Sequence, residues 1–344
     1  MRLSAMGDVA MTVPVLASFL ATYPDVQITL LSNPRFVALF NQIPRVSFIP
    51  VDTKKQYAGN FGMLRLYKDL KSAYRFDAMI DLHDVLRSKI LRMLFRFSSL
   101  HVYVIDKGRK EKKWLVSEKN TQKKQLKSSI QRYADVFARA GFPFDIQEFR
   151  MKLPAPSIEL KDFLSSKKGC WIGVAPFAQH RGKIYPVEKT EKVVAHYSEK
   201  DDVQVLLFGG GESEKNKMSE WEKKYKHTIS LAGKYNLQEE LSIMEQCDVV
   251  LSMDSANMHL ASLVHTPVVS IWGATHPYAG FYGFGQDAEN AVQVDMPCRP
   301  CSIYGNKACK FHDYPCLKNI SEEEVIGRVD YVLETLERHD ETKD

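Results

Sequence analysis

The chain has 344 residues, of which 44% are hydrophobic and 26% are charged. This composition is typical of a globular protein, and because the chain is longer than one small core needs, we expect two domains. The sequence has no apolar run near the roughly 20 residues that span a bilayer, and its first residues lack the pattern of a secretion signal. We therefore expect a cytoplasmic protein.

The formal net charge is +5, and much of the positive charge is concentrated in the segment Lys107 to Lys127. One interpretation is a solvated loop that runs into a helix face. The other is contact with an anionic partner, either a membrane surface or a phosphorylated acceptor. Nucleic acid is not expected as a partner, because no helix-turn-helix, zinc-finger or RNA-recognition signature accompanies the basic residues.

In the first half, short aliphatic runs alternate with helical patterns. Strands are predicted at Val26 to Ser32, Phe76 to His83 and Leu100 to Asp106. Helices are predicted around Met11 to Thr22, Leu86 to Arg96 and Ser128 to Ala140. This alternation is typical of βαβ units with parallel sheet.

A polar stretch with two prolines, Arg150 to Gly169, predicts a passage between domains. The second half then repeats the alternation, with apolar strands predicted at Cys170 to Phe177, Val203 to Gly211, Asp248 to Ser255 and Pro267 to Gly273. Continuous apolar runs indicate strands that are covered on both faces. Ligands of such sheets bind beyond the carboxyl ends of the strands, so functional residues should directly follow the strands.

The opening stretch RLSAMGDVAMTVP places Gly7 and Asp8 directly before an apolar helical run. Glycine permits a tight turn there, and Asp8 can cap the helix that follows. The alternative role for Asp8 is that of a general base in an interdomain cleft. The sequence leaves both interpretations open.

The stretch APFAQHRGKIYP follows a predicted strand and carries His180, Arg181 and Lys183. A cluster of cations at such a position suits phosphate, because lysine supplies a compact charge and arginine a bidentate fork. Surface charge without a ligand is the alternative.

The stretch LSMDSANMHLAS is the most informative part of the chain. Asp254 ends a strand, and Ser255, Ala256 and Asn257 open a helix whose free N–H groups form a ready anion site. His259 falls on the first turn of that helix, where it either contacts a ligand or packs in the core.

Three glycines, Gly209 to Gly211, precede Glu212 and Glu214 but lack the GxGxxG spacing of a dinucleotide loop. A nicotinamide site is therefore not expected. A carboxylate after such a strand can accept hydrogen bonds from ribose hydroxyls, and helix capping is the alternative.

Four cysteines lie in one short segment near the C-terminus. They include one C-x-x-C pair and two later thiols: Cys298, Cys301, Cys309 and Cys316. In a reducing compartment such clustering favours metal over disulfides. A structural zinc site is one hypothesis and free thiols are the other.

In chain order, the motifs RLSAMGDVAMTVPVL, IDLHDVLRS, GKIYP, FGGGESE, LAG, DSANMHLAS and TPVVSIWGATHP resemble those of glycosyltransferase family 9, the ADP-heptose:lipopolysaccharide heptosyltransferases. The resemblance extends over nearly the whole chain and includes the cysteine-rich segment. It implies an α/β protein of GT-B architecture, with two Rossmann-like domains whose parallel sheets face a central cleft.

The resemblance also implies the domain roles. Residues 1–155 would form the acceptor-binding domain and residues 156–325 the nucleotide-sugar domain, followed by a C-terminal helix and polar tail at 326–344. By the same comparison, Asp8 would be the catalytic base and Lys183 the partner of the diphosphate. The acceptor would meet Gly7, His83 and Arg87.

For the donor, the resemblance implies a larger set of contacts. Glu212 would bind ribose, the backbone near Gly233 would face adenine, and Asp254 would contact the sugar hydroxyls. The phosphates would lie among Ser255, Ala256, Asn257 and His259.

The implied reaction is transfer of a heptose from an ADP-sugar to the lipopolysaccharide inner core, with inversion and with no required cofactor or metal. It would take place at the cytoplasmic face of the inner membrane, and the basic segment Lys107 to Lys127 would contact anionic lipid. Two alternatives stay open: a GT-B transferase or epimerase that uses a UDP-sugar, and a non-catalytic sugar-nucleotide-binding module.

The family pattern carries a full strand before the Gly-Asp turn, whereas only six residues precede Gly7. We therefore expect a shortened first strand with a partly unpaired neighbour. One hypothesis for this difference is that translation of the native protein begins upstream of Met1.

Overall fold

The computed structural model of the chain describes residues 1–59 and 61–341. By its contacts, the chain divides into two compact units. The first unit contains Met1–Arg109 and Lys127–Phe149, and the second contains Lys110–Leu126 and the chain from Arg150 onward. The division at residue 155, with its assigned domain roles, stays a prediction.

The first unit contains two pairs of parallel strands. They are β1 (Ile28–Ser32) with β2 (Val46–Pro50), and β3 (Ala78–Asp81) with β4 (His101–Val104). Its helices are α1 (Met6–Ala10), α2 (Thr12–Thr22), α3 (Gly62–Ala73), α4 (Leu86–Phe97) and α6 (Ser129–Arg139); α5 (Arg109–Leu115) crosses into the second unit.

Residues Met1 to Leu3 lie between the two strand pairs. The Arg2 N–H donates to the Leu31 carbonyl at 3.1 Å, and the Leu82 N–H donates to the Met1 carbonyl at 3.1 Å. The Ser32 hydroxyl also donates to the Arg2 carbonyl at 2.6 Å. The short segment thus bridges β1 and the end of β3, although it forms too few ladder bonds to count as a strand.

Two helical layers build the core of the first unit. Helices α3 and α4 pack side by side, and Leu66, Leu70, Leu91 and Phe95 join one apolar cluster with side chains of the strands. Helices α2 and α6 pack together through aromatic contacts, with the Phe19 and Phe137 rings 4.6 Å apart. These contacts hold the strand ends that carry the polar residues described below.

The second unit is built on a six-stranded parallel sheet with the order β10-β9-β8-β5-β6-β7. Its strands are β5 (Cys170–Ala175), β6 (Val203–Leu207), β7 (Thr228–Ser230), β8 (Val249–Met253), β9 (Val268–Ile271) and β10 (Ala291–Val292). Its helices are α7 (Ile158–Ser165), α8 (Val187–Ser198), α9 (Glu212–Lys224), α10 (Leu237–Gln246), α11 (Ala256–Leu263), α12 (Pro315–Lys318) and α13 (Glu322–Glu341). The central strands are buried along almost their whole length, as the continuous apolar runs predicted.

The structure corrects several element predictions. The sequence reading missed the strands β2, β7 and β10 and the helices α3 and α5. The passage Arg150 to Gly169 contains α7, and the Met151 N–H donates to the Leu263 carbonyl at 2.7 Å. The predicted C-terminal helix begins earlier, at Glu322, and residues 342–344 of the predicted tail lie outside the described residues.

Candidate active site

The strand order of the second unit creates a switch point. From β5 the chain runs to β6 and β7 on one side, and it returns to β8 and β9 on the other side of β5. In open α/β sheets, ligands bind beyond the carboxyl ends of the strands at the position where the order reverses. The segments that follow β5 and β8 are therefore the expected site.

Lys183 and Asp254 meet at this switch point. Lys183 ends a short 3₁₀ turn after β5, and Asp254 directly follows β8. The Lys183 Nζ lies 2.8 Å from the Asp254 Oδ2, and the two side chains are only 15% and 3% exposed. The topology thus joins two residues that are 71 positions apart in the sequence, and the sequence predicts both as site residues.

The start of α11 lies directly beside this pair. Ser255 is the N-cap residue, but its hydroxyl makes no capping bond and lies 3.2 Å from the Ser252 hydroxyl. Ala256 and Asn257 therefore present backbone N–H groups that no side chain caps, which is the arrangement that favours an anion. His259 is buried on the first turn, with 6% exposure.

Glycines let the loops around Lys183 approach closely. The Gly182 N–H donates to the Gly305 carbonyl, and the Ala274 N–H donates to the Gly182 carbonyl at 2.9 Å. Gly305 has a φ of +73°, and a Cβ at this position would lie 2.6 Å from the Lys183 Cγ. A side chain at position 305 would therefore displace the lysine.

Arg299 connects the cysteine-rich segment to the same loops by hydrogen bonds. Its guanidinium is buried and donates to the carbonyls of Trp272, Gly273 and Thr275. The N–H groups of Cys301 and Ser302 both donate to the Ala274 carbonyl at 3.1 Å. The segment therefore stabilises the loop after β9, a role that the sequence reading missed because nothing in the pattern marks Arg299 as buried.

Four cysteines of this segment form no disulfide bond: Cys298, Cys301, Cys309 and Cys316. Within residues 1–59 and 61–341, no group of three or more His, Cys, Asp or Glu side chains is placed so that it could hold a metal ion. Burial raises the pKa of the Cys316 thiol to about 12. The arrangement thus offers the zinc hypothesis no preformed ligand set.

The two glutamates after β6 differ in what they bind. The Glu214 carboxylate turns back and accepts from the Gly210 N–H at 3.0 Å and from the Gly211 N–H at 3.3 Å. Glu212 is exposed at the first position of α9, and no hydrogen bond or ion pair engages its side chain within the described residues. The Glu214 carboxylate is thus engaged by the loop, whereas the Glu212 carboxylate is open to solvent, and the predicted role of Glu212 toward ribose stays a prediction.

Gly233 follows β7 in a left-handed turn with a φ of +73°. A Cβ at this position would lie 2.5 Å from the Lys215 Nζ, so the lysine side chain crosses directly over the glycine. Gly233 is exposed, and its predicted role toward adenine stays a prediction.

In the first unit, Asp8 is the third residue of α1. Its Oδ2 lies 2.5 Å from the Arg2 Nη2 and accepts from the Ala5 N–H at 3.4 Å. The Arg2 guanidinium is buried, and its Nη1 donates to the Leu82 carbonyl at 2.7 Å. The Asp8 side chain is 31% exposed, and within the described residues no hydrogen bond engages Oδ1. One oxygen is thus held while the other is left for a ligand.

His83 lies beside the same segment, and Gly7 and Arg87 are placed differently. The Leu3 N–H donates to the His83 Nδ1 at 3.4 Å, and the His83 Nε2 is 3.4 Å from the Ser4 hydroxyl. Burial, with Arg2 and Lys107 nearby, lowers the pKa of His83 to about 4, so the ring is neutral at neutral pH. Gly7 lies inside α1 rather than in the expected turn, and Arg87 is exposed near the start of α4.

A buried network that the sequence reading missed supports the loop that carries His83. Asp81 accepts from the His83 N–H at 2.9 Å, and Asp84 pairs with Arg92 at 3.0 Å and with Arg109 at 2.6 Å. These pairs lower the pKa of the Asp84 carboxyl despite the opposing effect of burial. Motif reading could not find them, because ion pairing between such positions is visible only in the fold.

Contacts within the chain occupy part of the basic segment Lys107 to Lys127. Lys112 is buried, with its Nζ 4.2 Å from the centre of the Phe281 ring, and Lys123 donates to the Pro297 and Arg299 carbonyls. Lys127 pairs with Asp135 at 2.7 Å. The segment therefore offers fewer available charges than its composition predicts.

Comparison with known proteins identifies the family. The model of Glycosyltransferase family 9 (heptosyltransferase) matches residues 63–312, well over half of the chain. The chain belongs to glycosyltransferase family 9. This confirms the resemblance that the motifs indicated.

A curated relative and two solved structures are similar to this chain over most of its length. The lipopolysaccharide core heptosyltransferase OpsX of Haemophilus influenzae is 23% identical over 279 residues, covering 80% of this chain and 79% of the relative. A family 9 structure from Veillonella parvula has a TM-score of 0.76 and 18% identity, covering 97% of this chain and 96% of that one. The E. coli heptosyltransferase WaaC with ADP-2-deoxy-2-fluoro heptose has a TM-score of 0.66 and 16% identity, covering 96% and 98%.

The structural likeness confirms the expected α/β fold of the GT-B class for this family 9 member. No helix in the described ranges is both long and apolar enough to cross a membrane. The roles of the site residues stay predictions, because the comparisons assign no function to individual positions.

Proposed function

We propose that this family 9 glycosyltransferase moves a heptose from ADP-heptose to the inner core of lipopolysaccharide, with inversion at the anomeric carbon. The observation that carries the proposal is the Lys183 and Asp254 pair beside the uncapped start of α11, at the switch point of the sheet. The family match supports heptose transfer, and the core assignment of OpsX supports the acceptor. The donor analogue bound to WaaC supports the ADP-sugar.

In the proposed reaction, the acceptor oxygen bonds to the anomeric carbon as the bond from that carbon to the diphosphate breaks. Asp8 takes the hydroxyl proton on Oδ1 while Arg2 holds Oδ2. The products are ADP and the heptosylated acceptor.

The leaving diphosphate gains negative charge, so it needs fixed positive groups. The N–H groups of Ala256 and Asn257 and the Lys183 ammonium supply them. An ammonium has three donors, so Lys183 can keep its ion pair with Asp254 and still donate to phosphate oxygens. Asp254 would in addition accept from the sugar hydroxyls, and Glu212 from the ribose.

We place the reaction at the cytoplasmic face of the inner membrane, with the lipid-linked acceptor held at the bilayer. OpsX acts on the lipopolysaccharide core, which supports this placement. The exposed lysines of the segment Lys107 to Lys127, which include Lys110, Lys113 and Lys119, are candidates for lipid contact.

Replacing Asp8 by asparagine tests the base, because the amide keeps the shape of the side chain and cannot take the proton. We expect the kcat for ADP release with ADP-heptose and an inner-core acceptor to fall by about 100-fold or more, the low end for removal of a general base. The control is Asp25→Asn, an exposed carboxylate of the same unit without a bond in the described residues. If Asp8→Asn retained half of the parent rate while folding normally, the assignment of the base would be wrong.

A further inference from the structure

Helix α4 has a second apolar face that the fold does not bury. Its inward face contributes Leu91 and Phe95 to the core, with 0% and 6% exposure. Leu86, Met93 and Phe97 on the same helix are 74%, 51% and 81% exposed. We call these three residues and the half-buried Ile90 the apolar stripe.

The spacing of the stripe makes it one continuous surface. Its members follow at intervals of four, three and four residues, which places them within a narrow arc of a helix with 3.6 residues per turn. Single exposed apolar residues are ordinary on protein surfaces. Three exposed apolar residues along a single row of a helix are unusual. Contiguous apolar surface of this kind indicates an interaction site.

Positive charge borders the stripe. Arg87, Lys89 and Arg96 are exposed on α4, and no ion pair engages them in the described parts of the chain. The fourth cation of the helix, Arg92, turns inward to Asp81 and Asp84 and so anchors α4 to the strand end. The sequence of the helix, LRSKILRMLFRF, contains no carboxylate.

The apolar stripe and the cations beside it together indicate which kind of partner binds this surface. A second copy of the same helix would bring two sets of unpaired cations together, which like-charge repulsion opposes. An anionic bilayer satisfies both features, because its headgroups attract the cations and its acyl boundary accepts the apolar side chains. We propose that α4 docks this protein on an anionic phospholipid surface by inserting the stripe Leu86, Ile90, Met93 and Phe97, with Arg87, Lys89 and Arg96 facing the headgroups.

The position of α4 connects the proposed membrane docking to the proposed reaction. The helix begins two residues after Asp84, in the loop whose His83 lies 3.4 Å from Ser4 near Asp8. A lipid-linked acceptor held in the bilayer would therefore meet the protein at the end of the unit that carries the proposed base. This last point rests on the proposed function, whereas binding to lipid does not.

The test is co-sedimentation of the full-length protein with vesicles of phosphatidylethanolamine and phosphatidylglycerol, and with vesicles of phosphatidylcholine alone. We expect binding to the anionic vesicles that weakens as salt is raised, and much weaker binding to phosphatidylcholine. The variant Leu86→Gln, Met93→Gln, Phe97→Gln should bind anionic vesicles at least about 10-fold less tightly, because it loses the inserted apolar area.

A matched control removes three exposed apolar residues of the second unit: Ile158→Gln, Phe311→Gln, Tyr331→Gln. It should bind within about twofold of the parent, and both triple variants should keep the parent melting temperature, since all six side chains are mainly exposed. The variant Lys89→Gln, Arg96→Gln should weaken binding at low salt and lose most of the salt dependence.

Three results would overturn the proposal. The first is that the parent protein does not bind the anionic vesicles. The second is that the stripe variant binds them as the parent does, while the triple variant Lys110→Gln, Lys113→Gln, Lys119→Gln no longer binds them. The third is a parent dimer that the stripe variant dissociates without loss of vesicle binding. The proposed transfer reaction fails separately, through the Asp8→Asn assay with a soluble acceptor fragment.

Discussion

His83 shows how burial sets the chemistry of a single residue. The backbone N–H of Leu3 approaches Nδ1, so Nδ1 is the acceptor and the proton of the neutral ring lies on Nε2, toward the Ser4 hydroxyl. The ring is 7% exposed, and Arg2 and Lys107 are nearby. A neutral ring adds no further positive charge beside Asp8.

The pKa of His83 predicts a dependence of stability on pH. Its pKa is about 4 in the folded protein and 6.5 in the reference state, so in this window only the unfolded chain takes up the proton. The free energy of unfolding should therefore decrease as the pH falls through the window. Between pH 7 and pH 5, the free energy of unfolding of His83→Gln should therefore decrease less than that of the parent. The difference between the two decreases should be at most about 2 kcal/mol.

Urea unfolding at the two pH values measures this difference. The control is His101→Gln, which removes an exposed histidine of β4 without altering the contacts of His83. Equal slopes for His83→Gln and the parent would contradict the prediction.

At the scale of the element, ion pairs of Arg92 hold the middle of α4 against the end of β3. The Arg92 Nη1 lies 3.2 Å from Asp81, which is fully buried, and 3.0 Å from Asp84, which has a positive φ of 43°. A buried carboxylate that loses its partner retains the cost of desolvation, whereas an exposed one does not. The anchoring of α4 therefore depends on one arginine out of its four cations.

Replacing Arg92 by methionine should destabilise the first unit by about 3 kcal/mol or more, because it leaves Asp81 and Asp84 with less compensation. Arg96→Met on the same helix removes an exposed and unpaired cation, and it should change stability by less than about 0.5 kcal/mol. Chemical denaturation of both variants gives the comparison. Similar effects for the two would show that the network does not anchor the helix.

The sequence was most informative about elements with strong periodicity or continuous apolar runs. The expected strands at Cys170, Val203, Asp248 and Pro267 correspond to β5, β6, β8 and β9, and α4 matches within one residue. The sequence does not predict β2, because VSFIP is short, partly exposed and ends in proline. β10 has only two residues, too few for any pattern.

The candidate site was predictable only in part. The rule that ligands lie beyond parallel strands identified Lys183 and Asp254 before their contact at 2.8 Å was known. Arg2, Arg92 and Arg299 were not predictable, because a charged residue is normally expected at the surface. Their burial follows from partners that only the folded chain brings near.

At the scale of the whole molecule, the chain builds two units with separate apolar cores, and the residues assigned to the donor come from the second one. Glu212, Gly233, Lys183 and Asp254 each follow a different strand of the same six-stranded sheet. Strand order therefore determines which residues a nucleotide would contact together.

Nucleotide binding should stabilise the protein through this second unit. Saturating ADP should raise the melting temperature, and ADP at 100 times its Kd should add about 2.7 kcal/mol to stability. UDP should raise it less at the same concentration. Hydrogen exchange should slow in peptides that contain Gly233 and Asn257, and it should stay unchanged in those from β1 and β2. A larger shift with UDP would favour the alternative donor.

The glycine at position 305 constrains how the cysteine-rich segment can evolve. Its hydrogen atom occupies the space where even a methyl group would strike the stem of Lys183. The contact with the lysine is made by the backbone at this one position, so it does not involve the thiols of the segment. At this position the chain is thus restricted to a residue without a side chain, so that the methylene groups of Lys183 can pass beside it.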